Sequence, residues 1–285
     1  MKLEPNTRYL IIHADDGGLC HSVNSAMITA LESRIVTSAS LMVPCPQFNE
    51  IAKFFKQNPQ YDVGIHFTLT CEYPHYPWPP VADKNKVSSL VNRNGYLKTK
   101  KEFINDAKPE DVAIELRAQI ERFLESGIKP SHLDTHQGTV FQDLRFLESY
   151  VKLGMEYKIL PMLLKLNEHT LKMINVRSLK IDENVIKDLM GLGIPFLDFL
   201  FMADDNSNSL KNREQEYMQV ISQLPGGLSQ IIIHPGFDDE ELKNITSQSR
   251  DRYYDFSVFT DLDMKQFISD QNIKLISWRD LAGFN

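Results

Sequence analysis

The stretch Tyr9-Leu-Ile-Ile-His-Ala-Asp-Asp-Gly-Gly18 constrains the chain more than any other. Tyr9 to Ile12 form a short apolar run rich in β-forming side chains, which reads as a buried strand. The run stops at two adjacent carboxylates, Asp15 and Asp16, followed by Gly17 and Gly18. Successive side chains on an extended segment point to opposite faces, so a regular strand would separate the two acids. A break at the strand end, which the glycines permit, lets both carboxylates reach one cleft. One of them can then ligate a metal while the other handles protons. The plain alternative is a turn with both acids solvated.

Downstream, strands and helices alternate. Helical spacing spans 22–32, a strand 37–43, a helix 48–55 and a strand 62–70. Units of roughly 25 residues of this kind are the signature of parallel βα repeats. Pro109 opens a helix that runs to Ser126 and ends at Gly127. Strands are expected at 131–136, 157–164, 194–199, 228–233 and 273–276, and helices at 141–153, 182–192, 210–224 and within 250–270, with 171–180 ambiguous. Seven or eight parallel strands without a linker fit a single distorted (β/α) barrel over 1–285 better than two domains. One segment breaks the rhythm. Residues 71–99 hold Tyr76, Trp78 and a cluster of prolines, and a long loop in a compact domain is usually functional or disordered. Its aromatic, proline-stiffened composition favours a lid or a substrate-facing loop, with Tyr76 and Trp78 as sugar-stacking candidates.

The 285 residues carry a net charge of -7 and no basic cluster, which argues against a nucleic-acid partner. No apolar run approaches membrane-spanning length, and the polar opening, in which no secretory signal is visible, leads to the expectation of a protein that is not secreted. Cys20, Cys45 and Cys71 form no Cys-x-x-Cys pair, so thiols in a reducing cytoplasm are expected. A homodimer is left open.

The histidines fall where strands end. His66 lies in Val63-Gly-Ile-His-Phe, and His234 follows three isoleucines and precedes Pro235-Gly236. In Ser131-His-Leu-Asp-Thr-His136, alternation puts His132, Asp134 and His136 on one face. Two imidazoles with a carboxylate between them can hold a cation and fix a ring tautomer. A parallel barrel gathers these strand ends on one rim. Nucleophile elbows, phosphate loops and dinucleotide fingerprints are missing from the sequence, so metal-activated water is the economical chemistry.

Ala14-Asp-Asp-Gly-Gly-Leu19, Ile35-Val-Thr-Ser-Ala-Ser40, Gly64-Ile-His-Phe-Thr-Leu-Thr70, Pro130-Ser-His-Leu-Asp-Thr-His136 and His234-Pro-Gly236 follow one another in chain order. Together they resemble the motifs of the YdjC-like carbohydrate deacetylases, a group that includes chitooligosaccharide deacetylases. The resemblance implies a (β/α) barrel that removes the acetyl group from an N-acetylated amino sugar. It implies one divalent cation, magnesium by resemblance, whereas ligand softness alone suits zinc. Carried over, the ligands are Asp16, His66 and His136, the general base is Asp15, and His234 is the acid. A related His-x-x-x-His arrangement would use His132 with His136 instead. The resemblance favours His66, which leaves His132, with Asp134 and His13, in supporting or substrate-binding places. The sequence departs from the family pattern at His13, where asparagine is usual, and at Gly17, where phenylalanine is usual. It departs again at Gln137-Gly-Thr-Val140 and at Ile159-Leu-Pro161.

Overall fold

In the computed structural model, which describes residues 3, 4, 6–165, 167, 189, 191, 193–203 and 207–281, the apolar opening run becomes the central strand β1 (Arg8–Gly17). Every residue of β1 after Arg8 is buried. Its neighbours explain why. Strand β9 (Gly227–Ile233) pairs with it from Arg8 to Ala14 on one edge. The other edge is shared by β10 (Lys274–Leu275) at the start and β2 (Ser38–Leu41) at the end. The main sheet continues through β3 (Val63–Phe67), β4 (His132–Thr135) and β5 (Leu160–Pro161) on one side and β8 (Phe199–Met202) on the other. Its order is β5-β4-β3-β2-β1-β9-β8, and every pairing is parallel. A separate parallel pair, β6 (Leu163–Leu164) and β7 (Phe196–Leu197), follows β5 and precedes β8. The architecture is the expected parallel (β/α) barrel, distorted and open.

Helices α1 (His21–Glu32), α2 (Phe48–Gln57), α4 (Pro109–Glu125) and α5 (Leu144–Tyr157) form where helical spacing predicts them, each burying an apolar stripe. Later come α6 (Leu210–Ser222), α7 (Glu240–Ile245), α8 (Ser249–Val258), α9 (Leu262–Asp270) and α10 (Trp278–Leu281). Four expectations need correction. The single helix within 250–270 is two, α8 and α9. The strands expected at 157–164 and 194–199 are each two short pieces, β5 with β6 and β7 with β8. Helix α3 (Lys100–Asp106) was not foreseen, although Thr99 and Glu102 form a reciprocal capping box at its start. The helix expected at 182–192 and the ambiguous 171–180 lie outside the described residues, apart from 189 and 191.

Two local devices set the rim. Between Ala14 and Gly17 the β1–β2 register slips, so β1 holds one extra residue. Asp16 takes that place with φ of 69°, in the left-handed region. Gly17 packs closely here: a Cβ would lie 2.4 Å from Leu41 Cδ2 and 2.7 Å from Met27 Sδ, so the ends of both side chains would have to shift. The second device is Gly64 on β3. A Cβ at that position would fall 2.4–2.6 Å from three atoms of the His132 ring. That ring is fully buried and stacked on Trp278 at 5.1 Å between centroids, so it has nowhere to retreat. Gly64→Ala is therefore expected to destabilise the protein by about 1–3 kcal/mol through overpacking, as measured by chemical denaturation.

Candidate functional site

The bulge in β1 resolves the problem of two adjacent acids. Asp15 and Asp16 both line a cleft of about 710 Å³ at the C-terminal rim, together with His66, His136 and His234. In a parallel barrel this is the rim that carries chemistry. His66 comes from β3, and His136 is the first residue beyond β4, opening a 3-10 turn (His136–Gln142). Strand alternation therefore places only His132 and Asp134 on one face. His136 reaches the cleft by leaving the strand.

The cleft residues are organised around one oxygen. Asp16 Oδ1 lies 3.4 Å from His66 Nε2 and 3.2 Å from His136 Nδ1. It is buried and has no hydrogen-bond partner of acceptable geometry. The other oxygen, Oδ2, accepts from Arg252 Nη2 at 2.5 Å. Each imidazole is held from behind. His66 Nδ1 is 2.8 Å from Asp134 Oδ1, and His136 Nε2 is 3.0 Å from Glu72 Oε2. The ligand-type atoms of Asp16, His66 and His136 all lie within 4.8 Å of one another.

Charge follows this geometry. Burial alone would raise the Asp16 carboxyl, but the Arg252 guanidinium and the two rings hold it well below the carboxylate range. Burial pulls the His136 ring down, yet Glu72 and Asp16 push it up to about 9. His66 is likewise raised against its burial, by Asp134, Asp15 and Asp16.

Asp15 Oδ1 sits 3.0 Å from His13 Nε2 and within 3.4 Å of Ser40 Oγ. His13 itself is fully buried, and its Nε2 is also 2.9 Å from Asp134 Oδ2. Burial would lower that ring, but Asp134 and Asp15 raise it to about 9. His132 is different. Its Nδ1 meets Ser131 Oγ at 2.8 Å, and burial together with the charge on His13 holds it well below the usual histidine value. It groups with His13 and Asp134 beneath the cleft, away from His136. The His132-x-x-x-His136 pairing is not assembled.

His234 lines the cleft, and its backbone N–H donates to Asp255 Oδ2 at 3.0 Å. Pro235 and Gly236 follow. A Cβ on Gly236 would lie 2.6 Å from Leu242 Cδ2 and 3.1 Å from Arg252 Cβ, so the glycine admits α8 close enough for Arg252 to reach Asp16.

The 71–99 loop corrects an expectation. Trp78 is fully buried and its indole N–H donates to the Thr70 carbonyl at 3.1 Å, while the Tyr76 hydroxyl donates to the Leu19 carbonyl at 3.1 Å. Neither ring lines the cleft; Glu72 and Tyr73 do. Glu72, Arg252 and Asp255 were missed from sequence. Arg252 and Asp255 sit on α8, whose buried stripe is Ser249, Arg252, Asp255 and Val258. A polar buried stripe has no periodic apolar signal to reveal it.

A parallel open barrel with a carboxylate–imidazole cluster on its C-terminal rim defines the class of protein. The chain belongs to the YdjC-like protein family, whose profile matches residues 9–270. It is 28% identical over 274 residues to the carbohydrate deacetylase of Thermoanaerobacter pseudethanolicus, covering 95% of this chain and 98% of that one. Its identity to the carbohydrate deacetylase of Geobacillus stearothermophilus is also 28%, over 96% of this chain and 98% of the relative. Among solved structures, a protein of Enterococcus faecalis V583, described as a candidate cellobiose-phosphate cleavage protein, superposes with a TM-score of 0.78. That match has 24% identity and covers 96% of this chain and 99% of the other.

The Asp16–Arg252 pair generates a stability test. Replacing Arg252 by methionine leaves one oxygen of a buried carboxylate without its guanidinium partner, and a loss of about 3–5 kcal/mol is expected. The Asp16 carboxyl is held below its ordinary value of about 3.9. The stabilisation is therefore present above about pH 4 and is lost as pH falls through the folded value. Denaturation of the metal-free proteins should show the gap between wild type and Arg252→Met closing in acid, and shrinking in an Asp16→Asn background.

Proposed function

We propose that the protein is a carbohydrate N-deacetylase that hydrolyses the acetamide of an N-acetylated amino sugar, of the N-acetylglucosamine oligomer class. The observation that carries this reading is the convergence of Asp16 Oδ1, His66 Nε2 and His136 Nδ1 beside Asp15 in one cleft, in a chain whose relatives are named carbohydrate deacetylases. The three residues fit a divalent cation. The orphaned Asp16 oxygen faces two ring nitrogens, and each ring is fixed from its far side by a carboxylate. A His₂Asp set with an open side suits Zn²⁺ by ligand softness, and the family resemblance favours Mg²⁺. Such a cation, when bound, lowers the pKa of water and polarises the acetyl carbonyl.

The chain's own residues supply the remaining steps. Asp15 reaches the same cleft through the β1 bulge and accepts the proton of the attacking water. His13 and Ser40 hold one of its oxygens, at 3.0 and 3.4 Å, which leaves the other for that proton. His234 gives a proton to the departing amine, which would otherwise leave as a poor anion. The hold of Asp255 on its backbone N–H keeps the strand end in place beside the cleft.

Acetate release from N-acetylglucosamine oligomers, with and without added Mg²⁺ or Zn²⁺, tests the activity. No release with metal present would sink the reading. Elemental analysis tests the ligands: Asp16→Ala, His66→Ala and His136→Ala should each lose metal, and His132→Ala should retain most of it. Asp15→Asn should keep fold and metal but lose at least about a hundredfold in turnover. His234→Ala should slow the acetamide strongly and a nitrophenyl acetate ester much less, since nitrophenolate needs no proton to leave. Equal losses on both substrates would remove His234 from the acid role.

A further inference from the structure

The 71–99 segment is tied down along its length. Its neck is closed where Cys71 N–H donates to the Lys98 carbonyl at 2.8 Å. Leu97 N–H donates to the Trp78 carbonyl at 3.0 Å, and Trp78 fills the core beneath. The buried carboxylate of Glu115 accepts from the N–H groups of Val81 and Ala82, each at 2.9 Å. A segment with these bonds is a bracket and not a lid.

At the base of the bracket stands Glu72, with both carboxylate oxygens 3.0–3.1 Å from His136 Nε2. The opposite ring nitrogen, Nδ1, faces Asp16. His66 is the mirror case, since its Nδ1 is on Asp134 and its Nε2 faces Asp16. The two imidazoles thus present different nitrogens to the same oxygen, and each choice is set by its own carboxylate. Without Glu72, nothing in the described surroundings of His136 Nε2 would favour a proton there over one on Nδ1, and a ring protonated on Nδ1 cannot ligate through it.

We propose that Glu72 is a positioning residue, held in place by the 71–99 bracket, that makes His136 a metal ligand through Nδ1. The inference rests on the reading that Asp16, His66 and His136 hold a divalent cation, and it deepens that reading by giving the inserted segment a task. Glu72 acts in two ways. It accepts the Nε2 proton, which fixes the tautomer, and its charge strengthens the ring as a donor.

Calorimetric titration of Zn²⁺ into the metal-free protein tests this, beside the melting temperature of each metal-free variant. Glu72→Ala should weaken Zn²⁺ binding about 10–100-fold, with the metal-free protein still folded and melting in one cooperative transition. Glu72→Gln should recover part of the loss, because its amide oxygen can accept the Nε2 proton without supplying charge. If the unaltered protein binds Zn²⁺ and Glu72→Ala binds equally well, this inference fails alone. If Glu72→Gln restores the metal-free melting temperature but recovers none of the affinity, Glu72 does not fix the ring through its oxygen and the inference also fails. If the unaltered protein binds no Zn²⁺, the metal reading falls and takes this inference with it.

Discussion

Asp16 is a buried carboxylate shared between a guanidinium and two imidazoles, and the rest of the cleft is arranged around meeting its needs. A carboxylate taken out of water is costly unless it is paired and hydrogen-bonded. Arg252 satisfies one oxygen at 2.5 Å, and the other is left facing His66 and His136. The left-handed turn at Asp16 carries a strain of about 1–3 kcal/mol. That strain persists because strands on both edges of β1, the packing of Gly17 against Leu41 and Met27, and the Arg252 contact together determine it.

From this residue the dependence runs outward. Arg252 reaches Asp16 because α8 lies close against Gly236, and α8 is tied to the strand end through Asp255, which also accepts from the Tyr217 hydroxyl at 2.8 Å. On the other flank the two imidazoles rest on Asp134 and Glu72, one from a core strand and one from the inserted bracket. His13 binds Asp15 and Asp134 into the same network. Each carboxylate in this network both packs into the fold and contacts a group of the cleft.

Much of this was legible in the sequence wherever chemistry coincided with a strand end. The alternation of apolar runs and helical stripes gave the parallel barrel, since buried parallel strands read as continuous Val/Ile/Leu runs. Asp15, Asp16, His66, His136 and His234 were visible because each stands where such a run stops. What stayed hidden was tertiary. Arg252 and Asp255 resemble any solvated charge on a helix, and only the approach of α8 to Gly236 shows them to be buried. Glu72 lies two residues past Thr70 with no periodic signal, and its partner is 64 residues away. Trp78 and Tyr76 misled because an aromatic, proline-rich composition suits a ligand-facing loop and a packed one equally well. The bulge in β1 was anticipated as a break at the glycines, but the extra residue is Asp16 itself.

The central claim is that the orphaned oxygen of Asp16 and the two ring nitrogens facing it hold a divalent cation. Anomalous diffraction from crystals equilibrated with Zn²⁺ tests it most directly. One strong peak is expected at about 2.0–2.2 Å from Asp16 Oδ1, His66 Nε2 and His136 Nδ1, with Glu72 and Asp134 still on the far nitrogens. A peak among His13, His132 and Asp134 in its place, or none near Asp16, would contradict it.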